Sequence, residues 1–114
     1  MALKEPFHIV ATLNSPPGKA QELIAAILPF AEHVQATEPG CLQYELFQPT
    51  GSGLDTADAP IVLIELWKDM AALEEHRKGE QYHALLARTK DEGLLSGPPE
   101  VKILQAVGGF PART

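Results

Sequence analysis

The sequence has few cysteines, no long apolar run and few basic residues, which are the features of disulfide-bonded, membrane-spanning and nucleic-acid-binding proteins. Cys41 is its only cysteine, which excludes an internal disulfide and makes a reducing compartment the default expectation. No apolar run approaches the ~20 residues of a membrane helix, and the opening MALKEP lacks the apolar core of a signal peptide. Nine Lys and Arg oppose 15 Asp and Glu, giving a net charge of −6. Because nucleic acids and anionic membranes are bound by clustered cations, we expect neither as a partner and predict a cytoplasmic protein.

Signatures of metal and cofactor sites are also missing from the sequence. There is no Gly-rich phosphate loop and no dinucleotide fingerprint, and the histidines show no HxxxH or HxH spacing of the kind that zinc sites use. The four histidines are His8, His33, His76 and His83. We therefore predict neither a metal nor an organic cofactor.

What is present is the pattern of one small domain. Residues 7–14 are rich in β-forming types and stop at a Ser-Pro-Pro-Gly breaker. After the breaker, apolar residues recur every three or four positions and predict an amphipathic helix, which Pro29 should kink or split. Residues 41–48 have strand spacing. The polar, Gly- and Pro-rich segment 49–60 is long for a hairpin loop and predicts an additional role for it, such as an arm to a partner subunit.

The second half of the chain repeats this alternation. Residues 61–68 predict a strand, and Asp69 is a suitable N-cap for a short helix over 70–78. Gly79 interrupts the helical pattern before a second helical face, and residues 101–107 predict the last strand. That second face is marked by Tyr82, Leu85, Leu86 and Thr89. The order β-α-β-β-α-β over residues 1–114 predicts a ferredoxin-like α+β domain with a four-stranded antiparallel sheet and helices on one face.

The third strand, IVLIELWKD at residues 61–69, carries apolar side chains on both of its faces. The helices of a ferredoxin-like domain cover one face of the sheet only. An uncovered apolar face is a liability on a domain of this size. We therefore expect a homodimer in which the sheets of two copies pack together.

The segments EPGCLQYELFQ (38–48) and IELWKDMAALEEH (64–76) together resemble the antibiotic biosynthesis monooxygenase (ABM) domain family. PPGKAQEL (16–23) extends the resemblance toward the N-terminus. The resemblance implies a ferredoxin-like fold that dimerises through its sheets into an α/β barrel. It also implies chemistry of several kinds, because similar proteins include cofactor-free oxygenases of anthrones, quinols and polyketide phenols, haem-degrading enzymes and isomerases.

The resemblance implies that Trp67 lines a pocket between sheet and helices. An indole offers a flat wall and one N–H donor to an aromatic substrate. His76 matches a histidine of the family pattern, and a near-neutral pKa suits it to take a proton from a phenol. His83 is a further catalytic candidate, although the order Tyr82-His83 reverses the pattern that is common in the family. For each of these residues, packing or surface exposure is the alternative reading.

Other residues are candidates for substrate binding. Glu65 shares a strand face with Leu63 and Trp67, so it either pairs with a cation or points at the pocket with a raised pKa. Tyr44 and Tyr82 offer hydroxyl groups, and Leu63 and Leu73 stand where the anthrone oxygenases resembling this chain have Asn and Tyr. In the haem-degrading branch the axial histidine falls at Leu86, which cannot bind iron, so haem degradation is not expected.

These observations predict a cofactor-independent monooxygenase that oxidises a small electron-rich aromatic with O₂. The aromatic would be a quinol, an anthrone or a polyketide phenol. Two alternatives stay open. One is a non-catalytic small-molecule-binding or stress-associated dimer, which the apolar residues at 63 and 73 favour. The other is an isomerase of a small oxygenated metabolite.

Overall fold

A computed structural model describes residues 3–51 and 57–113. The described residues form, in chain order, β1 (Phe7–Leu13), α1 (Ala20–Thr37), β2 (Cys41–Phe47), β3 (Ile61–Trp67), α2 (Met70–Lys78), α3 (Glu80–Asp91) and β4 (Glu100–Leu104). The four strands make one antiparallel sheet in the order β2-β3-β1-β4. The predicted ferredoxin-like α+β architecture is confirmed.

The helix boundaries follow local chemistry. Asp69 is the N-cap of α2, where its Oδ1 accepts a hydrogen bond from the backbone N–H of Ala72 at 2.8 Å. Gly79 has extended backbone dihedrals and separates α2 from α3, as predicted. Pro29 lies inside α1, which runs unbroken past it. The expected split at this proline is absent, because the buried stripe of α1 continues on both sides of it through Ile27 and Phe30.

The last strand is shorter than the sequence predicts. β4 pairs only with β1, and the final partners in the register are His8 and Leu104. Because β1 begins at Phe7, almost no partner backbone is left for residues 105–107, and the strand ends at Leu104. The Val107 side chain beyond it is 99% exposed.

The two faces of the sheet have different surroundings. Residues 7, 9, 11 and 13 of β1 and 61, 63, 65 and 67 of β3 are buried under the helices. The alternate residues, such as Val10 and its partner Ile64, lie on the opposite face and are only half-buried. Phe47 and Leu104, on the outer strands, are 41% and 44% exposed. The apolar second face of β3 is therefore uncovered by described residues of this chain.

Of the predicted arm at 49–60, residues 52–56 lie outside the described residues. The flanks are tied to their own chain: Asp58 Oδ1 accepts from the Gly18 N–H at 3.0 Å, and the Gln48 side-chain amide donates to the Ala59 carbonyl at 3.3 Å. None of the helices in the described ranges has the length and hydropathy needed to cross a membrane.

Candidate active site

A cavity of about 150 Å³ lies between the sheet and the helices. The buried core consists of two separate clusters, and the cavity is bordered by both. Ile9 and Leu73 line it from one cluster, and Leu13, Leu23 and Ile27 from the other. The cavity thus lies between the two clusters, reaches the surface past Leu86, Pro99 and Val101, and has walls that are mainly aliphatic.

Polar side chains enter this cavity from β2, β3, α2 and α3. They are Tyr44, Glu65, His76, Arg77, Tyr82 and Thr89. The hydroxyl groups of the two tyrosines make no hydrogen bond to another described residue, so they are available to a ligand. Burial raises the pKa of Tyr44, and the charge of Glu65 adds to this effect. The Tyr44 phenol is therefore a hydrogen-bond donor over the whole physiological pH range.

Glu65 and Trp67 form a buried pair on β3. Glu65 is 7% exposed and Trp67 is fully buried, and the indole Nε1–H donates to Glu65 Oε1 at 2.9 Å. Burial raises the pKa of the Glu65 carboxyl, while the hydrogen bond from Trp67 opposes that rise. Of the two readings of Glu65, the geometry matches the one in which it faces a pocket. Trp67 does not line this cavity. Its indole N–H donates to the Glu65 carboxyl group and so holds that side chain in place.

His76 is 4% exposed and lies on the last turn of α2. Its Nδ1 is 2.7 Å from Glu38 Oε1. Desolvation lowers the pKa of His76, and the hydrogen bond and charge of Glu38 oppose that change. Aromatic rings surround the imidazole, with centroids at 4.7 Å for Trp67, 5.1 Å for Tyr82, 5.4 Å for Phe30 and 6.0 Å for Tyr44.

The turn before β2 places Glu38 against His76. Gly40 approaches α2 so closely that a Cβ atom there would lie 2.6 Å from the Cβ of Ala72, which only glycine permits. The Gly40 carbonyl accepts from the Lys68 N–H at 2.8 Å. The Glu-Pro-Gly-Cys turn and the Trp-to-His run, the two segments that carry the family resemblance, are therefore in direct contact.

The remaining predicted residues divide between the cavity and the surface. Leu63, Leu73 and Leu86 line the cavity beside the polar groups. His83 lies on the exposed side of α3, where it contacts the edge of the Tyr82 ring at a centroid distance of 5.6 Å, and it does not border the cavity. Burial raises the pKa of the Cys41 thiol to about 12, so this cysteine is not an activated nucleophile.

Glu38 and Arg77 were not predicted as site residues. Glu38 sits in a Glu-Pro-Gly segment that reads as a turn, and nothing in the spacing shows that it meets a histidine 38 positions away. Arg77 follows His76 and is largely exposed, with its side chain at the cavity border. Among the described residues, no cluster of three or more His, Cys, Asp or Glu side chains has the geometry of a metal site.

The family model for antibiotic biosynthesis monooxygenase (ABM) matches residues 6–88, a span that contains Glu38, Glu65 and His76. The chain belongs to the ABM family. The resemblance identified from the sequence is confirmed. Members of such a fold can differ in chemistry, so family membership identifies the scaffold and leaves the reaction open.

Two proteins with similar sequences come from bacteria. A Bacillus subtilis protein named "Putative monooxygenase YcnE" is 31% identical over 91 residues, which are 80% of this chain and 87% of that protein. An uncharacterised Synechocystis protein is 29% identical over 99 residues. The match covers 87% of this chain but 62% of the Synechocystis protein, so this chain spans less than two thirds of that relative.

Solved structures of the same fold include ABM proteins. A "putative antibiotic biosynthesis monooxygenase" from Caulobacter crescentus CB15 superposes with a TM-score of 0.74 at 33% identity, covering 90% of each chain. Rv0793 from Mycobacterium tuberculosis superposes with a TM-score of 0.77 over 94% of this chain and 100% of its own. At 23% identity, the second likeness supports the fold alone.

Proposed function

We propose that the protein is a cofactor-independent monooxygenase of a small electron-rich aromatic with one ring, such as a hydroquinone or a simple phenol. The observation that carries this proposal is the apolar cavity of about 150 Å³ with a buried histidine in its wall. An engineered apolar cavity of about 150 Å³ in another protein stays dry and binds benzene. A volume of this size favours a single ring over the three fused rings of an anthrone.

In the proposed reaction His76 takes the phenolic proton, and the substrate anion transfers one electron to O₂. The resulting superoxide and substrate radical combine, forming a C–O bond at a ring carbon, and His76 returns its proton to the peroxide. The O–O bond then breaks as water leaves with the hydrogen of that carbon, which keeps one oxygen atom as a carbonyl. Hydroquinone plus O₂ gives hydroxyquinone plus water, and the substrate supplies all the electrons.

The surroundings support each requirement of this reaction. The aliphatic walls would displace water from the faces of a bound ring, so a substrate anion would be held beside O₂ with few water molecules around it. The free hydroxyls of Tyr44 and Tyr82 can donate hydrogen bonds to the developing phenolate, and they fix the ring against Leu63 and Leu73. Trp67 acts indirectly by holding the Glu65 carboxyl in place.

A second candidate is a binding protein without chemistry. The observation that favours it is the predominance of aliphatic walls in the cavity, including Leu63, Leu73 and Leu86. Such a protein would hold the same one-ring ligands and release them unchanged. The isomerase alternative has no comparable observation of its own.

We also propose that the functional unit is a homodimer. The face of the sheet away from the helices is apolar at its centre, where Val10 pairs with Ile64, and it continues to Phe47 and Leu104 on the outer strands. A second copy of the same face is self-complementary and would cover this surface.

Oxygen uptake with one-ring hydroquinones and with an anthrone, without added cofactor or metal, tests the proposed activity. We expect turnover of the one-ring substrates, and a loss of 10²- to 10⁴-fold in His76→Gln because a general base contributes roughly that factor. His83→Gln is the matched control, since the same change is made on the exposed side of α3, and it should retain activity. Uptake at the buffer rate with tight binding of the same compounds would favour the binding protein instead.

A further inference from the structure

His76 lies in the wall between two different environments. On one side it lines the apolar cavity of about 150 Å³. On the other it lines an open depression of about 380 Å³, which Glu38, Gly40 and Glu75 also border. The side chain of His76 is 3% exposed and that of Glu38 is 23% exposed. Glu38 borders only the depression, so its carboxylate keeps contact with water while the imidazole is nearly enclosed.

The hydrogen bond between these residues defines the protonation of the imidazole. Glu38 Oε1 is 2.7 Å from His76 Nδ1, and a carboxylate can only accept hydrogen bonds. Nδ1 must therefore carry the proton, which leaves the lone pair of the neutral ring on Nε2. No described residue forms a hydrogen bond with Nε2.

We propose that Glu38 is a positioning residue for His76. It fixes the Nδ1–H tautomer, aims the Nε2 lone pair at the substrate cavity, and compensates the imidazolium charge while His76 holds the substrate's proton. The part that concerns the substrate's proton rests on the proposed oxygenase function. The arrangement follows the general logic in which a carboxylate orients a histidine base from the side opposite the reacting atom.

The energetic need for such a partner follows from burial. An imidazolium in a nearly dry wall is costly without a nearby anion. The Glu38 carboxylate supplies that anion, and the C-terminal turn of α2 also favours a cation at His76. Arg77 acts in the opposite direction, since its charge lowers the pKa of His76.

Other titratable groups line the cavity or the depression around the imidazole, and of these only Arg77 shifts the pKa of His76. They are Arg77 and Glu75 on α2, Glu65 on β3, Tyr44 and Cys41 on β2, Tyr82 on α3 and His33 on α1. Glu38 is the one that hydrogen-bonds directly to the ring. Its removal should therefore have the largest single effect on His76.

The first test needs no turnover. Nitrogen-15 NMR of the imidazole groups in the wild-type protein reports which ring nitrogen of His76 carries the proton at pH 8, with His76→Gln used to assign the signals. We expect the Nδ1–H tautomer. A dominant Nε2–H tautomer in the wild type would overturn the proposal.

The second test compares Glu38→Gln with Glu75→Gln. Both remove one negative charge from the same depression, but Glu75 pairs only with Lys78 in the described residues. Because Glu38 raises the pKa of His76 against the effect of burial, Glu38→Gln should lower that pKa, and Glu75→Gln should leave it nearly unchanged. Equal titration of His76 in both variants and the wild type would contradict the proposal.

If the wild type turns over quinols, the same variants give a kinetic readout. The base must be neutral, so the rate rises with pH through the pKa of His76 and then reaches a plateau. Glu38→Gln should move this rise to lower pH and reduce the plateau about tenfold, since a weaker base remains. An inactive wild type with the expected tautomer and NMR shifts would reject the oxygenase function alone, and would leave the positioning role of Glu38 intact.

Discussion

At the scale of single residues, the candidate site contains two buried ionisable groups whose pKa values shift in opposite directions. Burial raises the pKa of Glu65 and lowers that of His76, so both groups are favoured in their neutral forms. Each has one partner, Trp67 for the first and Glu38 for the second. Both side chains line the same cavity, so burial favours an uncharged wall around a phenol that is briefly an anion.

Glu65 gives a prediction for stability. Its folded-state pKa is raised, so the folded protein holds a proton that the unfolded chain releases above about pH 4.3. The contribution of Glu65 to stability is therefore complete below that pH and is lost as the pH rises through the folded pKa. Glu65→Gln keeps an oxygen that accepts from the Trp67 indole and removes the titration. At pH 8 we expect the variant to be more stable than the wild type by about 1 kcal/mol.

Urea unfolding of wild type and Glu65→Gln between pH 5 and pH 8 measures this difference. Glu74→Gln is the control, because Glu74 is exposed on α2. A Glu65→Gln variant that follows the pH dependence of the wild type would contradict the raised pKa of Glu65.

The sequence predicts which side chains share a strand face, but it does not reveal their hydrogen-bond partners. Strand alternation is enough to put Glu65 and Leu63 on one face with Trp67. Glu38 comes close to His76 because Gly40 packs against Ala72. This contact is between distant parts of the chain, so no local sequence pattern predicts it. The Trp67 N–H donates to Glu65 because of the rotamers that the two side chains adopt. The position of Trp67 in the sequence does not reveal those rotamers, so it is not enough to predict a direct contact between Trp67 and a substrate.

At the scale of elements, α2 is short but well anchored. Asp69 accepts from the Ala72 N–H and Glu5 Oε2 accepts from the Met70 N–H, both at 2.8 Å. Two carboxylates thus accept hydrogen bonds from two of the first-turn N–H groups, and their negative charges lie at the positive end of the helix dipole. The helix carries Leu73 and His76 into the core, so its anchoring controls the geometry of the cavity wall.

Loss of the cap should therefore weaken the site. Asp69→Ala is expected to lower the free energy of unfolding by about 1 kcal/mol, measured by urea denaturation at pH 7. Asp69→Ser retains a capping oxygen and should recover most of the loss. Equal destabilisation by alanine and serine would show that the cap is not what stabilises α2.

A strong periodic pattern in the sequence predicts that a helix or strand is present, but it predicts the ends of that element less well. The extents of α2 and β3 follow from the cap at Asp69 and from a continuous apolar run. The end of β4 depends on where its neighbour β1 begins, which is a property of the assembled sheet.

At the scale of the whole molecule, the uncovered sheet face predicts self-association. Sedimentation of the wild type at micromolar concentration should give about twice the chain mass of 12.3 kDa. Ile64→Asp places a charge at the centre of the face and should produce a monomer. Leu28→Asp is the control, because Leu28 is 48% exposed on α1. A monomeric wild type, or equal effects of the two variants, would contradict a dimer formed through the sheet.

The fate of labelled oxygen tests the proposed monooxygenase reaction directly. The protein would be given a one-ring hydroquinone with an unsubstituted ring position under ¹⁸O₂, with parallel labelling of the water to correct for carbonyl exchange. We expect one ¹⁸O atom in the hydroxyquinone product, the other in water, and no hydrogen peroxide. An unlabelled quinone with an equivalent of hydrogen peroxide, or no product above the buffer rate, would contradict it.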